Sequence, residues 1–185
     1  MLRNLIAACA LVAASPAWAA GIEITVTGEA SGVIAIDLLE DVAPGHVERI
    51  TALAAAGEYD GVAFHRVIDG FMAQTGDVQF GDVTDSYDAR RAGTGGSGQP
   101  DLAAEFSDIT FARGVVGMAR SQNPDSANSQ FFIMFAPGDF LDGQYTVVGQ
   151  VTGGLDVLDA IKRGHPRSGA ITGAPDVMST VTVTE

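Results

Sequence analysis

The chain has 185 residues, 46% of them hydrophobic, and 23 acidic against 10 basic side chains give it a formal charge of −13. That length suits one domain able to bury a full core without staples. The charge argues against nucleic acid or an anionic membrane as a partner, because such a surface repels both.

The first residues read as an address rather than as structure. Arg3 supplies a short basic start, and residues 5–14 form an apolar run too short to cross a bilayer. Ser15-Pro16 breaks the run, and Ala17-Trp18-Ala19 fits a small-x-small cleavage pattern. The pattern predicts a secretory signal peptide over residues 1–19 and a mature domain over 20–185. A lipoprotein reading centred on Cys9 is weaker, because few apolar residues precede that cysteine. Cys9 is the sole cysteine and leaves with the signal, so the mature chain has no disulfide or thiol chemistry. Losing Arg3 leaves nine basic against 23 acidic residues, a net charge of about −14. No later segment is apolar over a membrane-spanning length.

Residues 22–27 and 33–38 alternate apolar and polar, as half-buried strands do, and predict a hairpin. Pro44 opens a helix running to Ala56, with Val47, Ile50, Leu53 and Ala54 on one face and Gly57 as its stop. Phe64 to Asp77 reads as two short strands around a Gly turn. Residues 76–100, rich in Gly, Asp and Ser, make a long loop of a kind that is usually functional or mobile. Strands are predicted over residues 115–119, 130–135, 145–151 and 177–183. A polar turn fills 121–129, and a short helix runs over 155–162 with Leu155, Leu158 and Ile161 at helical spacing. Short strands with two separate helices imply an antiparallel barrel or sandwich. There is no internal repeat.

Most chemical motifs are missing. Gly93-Thr94-Gly95-Gly96 lacks the lysine of a phosphate loop, and His46, His65 and His165 are scattered without ligand spacing. There is no Gly-x-Ser-x-Gly elbow. No cofactor and no metal are expected. His65 is placed among apolar neighbours and reads as a packed, satisfied histidine rather than a general base. Arg66 by itself would be a strand arginine in a surface ion pair. Gln74 changes that reading, because across a turn it faces the same side and holds the guanidinium. Phe71 and Met72 then either join the core or line an apolar notch beside an oriented cation. Alternation sends Phe131 and Phe132 to opposite faces, so one is core while the other is free to line a site.

The sequence of Phe64-His65-Arg66-Val67-Ile68-Asp69-Gly70-Phe71-Met72-Ala73-Gln74-Thr75-Gly76-Asp77 resembles the Phe-His-Arg-Val-Ile-x-x-Phe-Met-x-Gln-x-Gly-Asp signature of cyclophilin-type peptidyl-prolyl cis-trans isomerases, of the bacterial exported kind. Gly93-Thr94-Gly95-Gly96, Met118-Ala119-Arg120, Ser129-Gln130-Phe131-Phe132-Ile133 and Phe140-Leu141-Asp142-Gly143 resemble further family motifs in the same order. The resemblance runs from Ile22 almost to the C-terminus. It implies a mainly β fold, a closed antiparallel eight-stranded barrel capped by two α-helices. It implies Arg66 as catalytic arginine and Gln74 as the residue that orients it. Phe71, Met72, Phe132 and Leu141 match the proline pocket. Ala119 and Arg120 match the stretch whose backbone holds the preceding residues, Gln130 a neighbouring polar contact, and Gly93 the loop beside a secondary pocket.

Three positions depart from the family pattern. Phe140 stands where many eukaryotic members carry tryptophan, which removes an indole donor and with it the expectation of tight cyclosporin binding. Tyr145 stands where many carry histidine, and keeps an aromatic wall with a polar tip. Arg120 replaces a common asparagine, and its side chain favours acidic residues ahead of proline. The function implied is rotation of X-Pro bonds in folding, exported proteins, by a monomer in the periplasm that binds proline-containing unfolded chains. A peptide-binding, chaperone-like module with little catalysis is the alternative. An unrelated ligand-carrying barrel would need a far wider cavity.

Overall fold

The computed structural model describes residues 20–85 and 87–185, and the signal-peptide reading of residues 1–19 lies outside them. Nine strands form one sheet: β1 (Gly21–Thr27), β2 (Gly32–Leu38), β3 (Val62–Ala63), β4 (Arg66–Ile68), β5 (Met72–Thr75), β6 (Val115–Met118), β7 (Phe131–Met134), β8 (Val147–Gly153) and β9 (Val177–Thr184). Two helices accompany them, α1 (Pro44–Ala55) and α2 (Leu155–Ala160). All ladders are antiparallel, in the order β3-β9-β1-β2-β8-β6-β7-β5-β4.

The two outermost strands of that order, β3 and β4, are joined in sequence by Phe64 and His65 alone. The sheet therefore returns on itself through two residues of chain rather than through a ladder. The architecture is mainly β, antiparallel and accompanied by two helices, as expected, but it has nine strands and is not the exactly closed eight-stranded barrel that the resemblance implies. Its details are nine ladder strands, one only two residues long, and a covalent seam. No local pattern announces a two-residue strand, which is why β3 escapes a periodicity reading. Beyond the seam the free edge of β4 is occupied: Val67 donates to the Gly169 carbonyl at 2.8 Å, and Gly164 donates to Val67 at 2.9 Å.

α1 begins at Pro44 and buries His46, Val47, Arg49, Ile50, Leu53 and Ala54 against β9 and β1. Ala43 supplies no side-chain cap. The Glu105 carboxylate, sixty residues further on, accepts from the backbone N–H groups of Gly45 and His46 at 3.2 Å each and meets His46 Nδ1 at 2.6 Å. The orphan donors of a helix start are thus satisfied from a distant loop.

Strand alternation divides the apolar residues into two clusters. The interior one contains Ile22, Ile24, Ile34, Val67, Ala73, Val116, Phe131 and Ile133, with Tyr59 and the α1 face. The second lies on the opposite side of β4–β8 and contains Met72, Phe111, Val115, Phe132, Met134, Leu141 and Val147. One buried aromatic in each cluster comes from each of two successive positions of β7, as period-two geometry requires.

Candidate functional site

Register places the candidate residues before any side chain is considered. Arg66 on β4 is the cross-strand partner of Gln74 on β5, Gln74 is paired with Phe132 on β7, and Phe132 with Gly117 on β6. These four therefore form one row on one face of the sheet. Gly70 makes the row possible at its β4–β5 end: it turns the chain with φ of +68°, in the left-handed region that glycine occupies freely. Gly117 makes it possible in the middle. A Cβ there would lie 2.6 Å from both Phe111 and Phe132. Its absence lets those two rings stack at 5.7 Å directly over the sheet.

The second apolar cluster comes to the surface as a notch of about 300 Å³. Phe71, Met72, Phe132 and Leu141 line it, with Phe140 and Tyr145 at its mouth and Arg66, Gln74, Ala119 and Arg120 along one wall. The walls are fixed by aromatic contacts: Phe132 meets Tyr145 edge-on at 5.8 Å, and Phe71 lies against Phe140 at 5.5 Å. Met72 is buried, whereas Phe140 is 66% exposed, so the notch has a packed floor and a wet rim. An adjoining cavity of about 240 Å³ shares Gln74, Ala119 and Arg120 and adds Gly93, Thr94, Gly95 and Gln130. Every residue that the family resemblance assigns to the site lines one or both.

The guanidinium of Arg66 is oriented from three sides. Its Nη1 donates to Gln74 Oε1 at 3.2 Å and rests against Met72 Sδ at 3.7 Å, and its Nε donates to the Ser168 carbonyl at 3.2 Å. Gln74 is itself held, since its Nε2 donates to Gln130 Oε1 at 2.9 Å, and Gln130 Nε2 donates to the Gly95 carbonyl at 2.8 Å. Gln130 is thus the middle link of a chain that starts in the 93–96 loop and ends on the cation. Partial burial lowers the Arg66 pKa below that of an ordinary arginine. No carboxylate in the described residues pairs with it, and an arginine so placed stays protonated.

The 93–96 loop is pinned by Asp77, which closes the sequence motif and is fully buried. Its Oδ1 accepts from the N–H groups of Gln79 and Phe80 at 3.1 and 2.9 Å. Its Oδ2 accepts from those of Gly93 and Gly95 at 2.7 and 2.9 Å. The long glycine-rich segment is therefore fastened at the residues that support Gln130. Asp77, Phe111 and the Ser168 carbonyl were not legible as contributors. An aspartate ending an apolar strand was a signal for the first, but nothing in sequence points to the other two.

His65 needs a correction. It is packed, as expected, but poorly satisfied: both ring nitrogens are sealed without a partner at full hydrogen-bond geometry, and only the Ala63 backbone and the Gln130 side chain lend it polar support. Burial lowers its pKa from 6.5 to about 4, and the charge of Asp77, with the Ala63 backbone and the Gln130 side chain, offsets that only in part. It is neutral at pH 7.

The nine-stranded sheet and its notch define a class, small barrel-like β folds with an apolar pocket beside a fixed N–H donor. A family model described as "Cyclophilin type peptidyl-prolyl cis-trans isomerase/CLD" matches residues 22–183. A "Probable peptidyl-prolyl cis-trans isomerase" of Brucella suis is 54% identical over 188 residues, covering 98% of this chain and 96% of that protein. Among solved structures, cyclophilin AquaCyp293 from Hirschia baltica superposes with a TM-score of 0.70 at 25% identity, covering 88% of this chain and 73% of that one. A cyclophilin type peptidyl-prolyl cis-trans isomerase of Cryptosporidium parvum, solved in the presence of the dipeptide Ala-Pro, has a TM-score of 0.73 at 23% identity. It covers 89% of this chain and 99% of that one. The chain belongs to the cyclophilin-type peptidyl-prolyl cis-trans isomerases, and its activity is the interconversion of cis and trans X-Pro bonds.

Proposed function

We propose that Arg66 is the catalytic residue of this isomerase and that the adjoining notch receives the prolyl ring. The observation that carries the reading is the un-neutralised guanidinium held by Gln74, Met72 and Ser168 at the wall of an apolar pocket.

Amide resonance sets a rotational barrier of about 18–20 kcal/mol. No bond has to break, so the problem is to stabilise the twisted state. In that state the prolyl nitrogen loses its share of resonance and gains a basic lone pair. A donor aimed at that nitrogen strengthens only as the bond twists, which is selective stabilisation of the transition state. Arg66 donates without surrendering its proton. Phe71, Met72, Phe132 and Leu141 hold the ring still while the chain on the other side of the bond turns. A barrier lowered by about 7 kcal/mol would accelerate rotation by roughly five orders of magnitude.

The clients are unfolded or partly folded proline-containing chains, and the enzyme works as a monomer in the periplasm on proteins folding there. The basic start, short apolar run and Ala17-Trp18-Ala19 site of the first nineteen residues support export. The chaperone-like alternative has no observation in its favour, because Arg66 and Gln74 are both present and joined.

A proline-limited refolding assay tests the catalytic assignment. Arg66→Ala is expected to lose about 10²- to 10³-fold in kcat/KM, the cost of removing one preorganised donor. Acceleration close to wild type would remove Arg66 from the mechanism. Fractionation of cells expressing the full chain tests export: the expected product is shortened by the first nineteen residues and lies outside the cytoplasm.

A further inference from the structure

The charge of the cleft runs opposite to that of the protein. Twenty-three acidic side chains face ten basic ones over the whole chain. Yet neither the notch nor the adjoining cavity has an aspartate or glutamate in its lining, and two arginines are there. Arg66 is one. The other, Arg120, is the only charged residue common to both linings.

Arg120 is held as a free cation. Its Nε and Nη2 donate to the Gln144 carbonyl at 3.2 and 2.7 Å, and its Nη1 donates to the Ser121 carbonyl at 2.8 Å. The guanidinium lies over the Tyr145 ring at 4.3 Å from its centroid. Carbonyls and a ring face orient the charge without neutralising it, and no carboxylate in the described residues forms an ion pair with it. Three bonds leave about two of a guanidinium's five N–H groups available to an incoming acceptor. A planar, pre-oriented fork of this kind suits a carboxylate better than a flexible ammonium would.

We propose that Arg120 is a specificity-determining residue, selecting clients with an aspartate or glutamate within two residues of the isomerised proline, on the side of the chain that runs along Ala119 and Arg120. The inference rests on the notch receiving the prolyl ring, as proposed above. A side chain leaving that notch toward the adjoining cavity passes Arg120, which borders both. Basic side chains at the same place meet an uncompensated positive charge. The acidic surface elsewhere repels an acidic client at long range, so the preference is local and belongs to bound complexes rather than to encounter.

The test is a set of short chromogenic X-Pro peptides with glutamate, glutamine or lysine placed in turn at each of the two positions on either side of proline. kcat/KM is compared within each set for wild type, Arg120→Gln, Arg120→Glu and Arg120→Lys. Wild type is expected to prefer glutamate over glutamine and glutamine over lysine, on one side of the proline only. Each step is about two- to fivefold, the worth of a partly exposed ion pair. Arg120→Gln flattens the order, Arg120→Glu reverses it, and Arg120→Lys keeps it in weakened form. An order in wild type that survives Arg120→Gln unchanged overturns the assignment, as does the lack of any order in wild type. Turnover of the glutamine peptides by wild type, set against Arg66→Ala, shows separately whether the isomerase site itself is where the proposal places it.

Discussion

Phe131 and Phe132 are neighbours on one strand and have opposite employment. Phe131 points into the barrel, where it is fully buried and meets Tyr59 edge-on at 5.7 Å. Phe132 points out, stacks on Phe111, and forms the floor of the notch beside Tyr145. The interior cluster is enclosed on all sides by sheet and helix, whereas the outer one is packed from below and open above. The difference teaches that one sheet supplies both stability and recognition by alternating residues, and that only the incomplete cluster has apolar surface left to offer a ligand.

Phe131→Ala should break the interior side of this comparison with the largest effect, a loss of about 3–5 kcal/mol in urea unfolding. Phe132→Ala opens a site that is already partly open. It should cost less stability than Phe131→Ala and instead raise KM for X-Pro peptides; equal stability losses with unchanged KM would erase the distinction. Next in size is Arg66→Ala, whose 10²- to 10³-fold kinetic loss should come with a melting temperature close to wild type, since the side chain belongs to neither cluster.

His65 lies between the regions, and acid probes it. The unfolded chain binds a proton there with a pKa of 6.5 and the fold only at about 4. Between those values the unfolded state carries the extra proton, so stability present at neutral pH is lost as pH falls from 6.5 toward 4. Wild type should lose about 2 kcal/mol more than His65→Gln between pH 7 and pH 5, read from paired urea titrations. Equal losses would mean that the imidazole is solvated. The smallest effect is expected for Gln130→Ala. It removes the link between the Gly95 carbonyl and Gln74 and should lower kcat roughly threefold to tenfold, with KM changed less, the worth of one hydrogen bond acting through another residue.

The elements with regular spacing were legible. The hairpin of β1 and β2, the helix from Pro44, and the opposite facing of Phe131 and Phe132 all follow from periods of two or 3.6 residues in the chain itself. The site was legible where its residues share a short motif, because Arg66 and Gln74 become partners through a local turn. Contacts between distant segments were not. Glu105 capping α1, Ser168 holding Arg66 and Phe111 supporting Phe132 join positions far apart in sequence, and nothing in any one segment encodes its partner. The weak polar support of His65 was hidden for the same reason: apolar neighbours announce burial, but satisfaction depends on polar atoms arriving from elsewhere.

The seam at Phe64 and His65 bears on when this enzyme begins to work. Arg66 is the first residue past that joint, and it is aimed by groups from β5, from Gln130 and from residue 168. With Arg66 as the catalytic group proposed above, a chain whose sheet has not yet come round has every atom of the site but no aimed guanidinium. Activity therefore reports closure rather than synthesis, and a folding catalyst of this build stays silent until its own folding is complete.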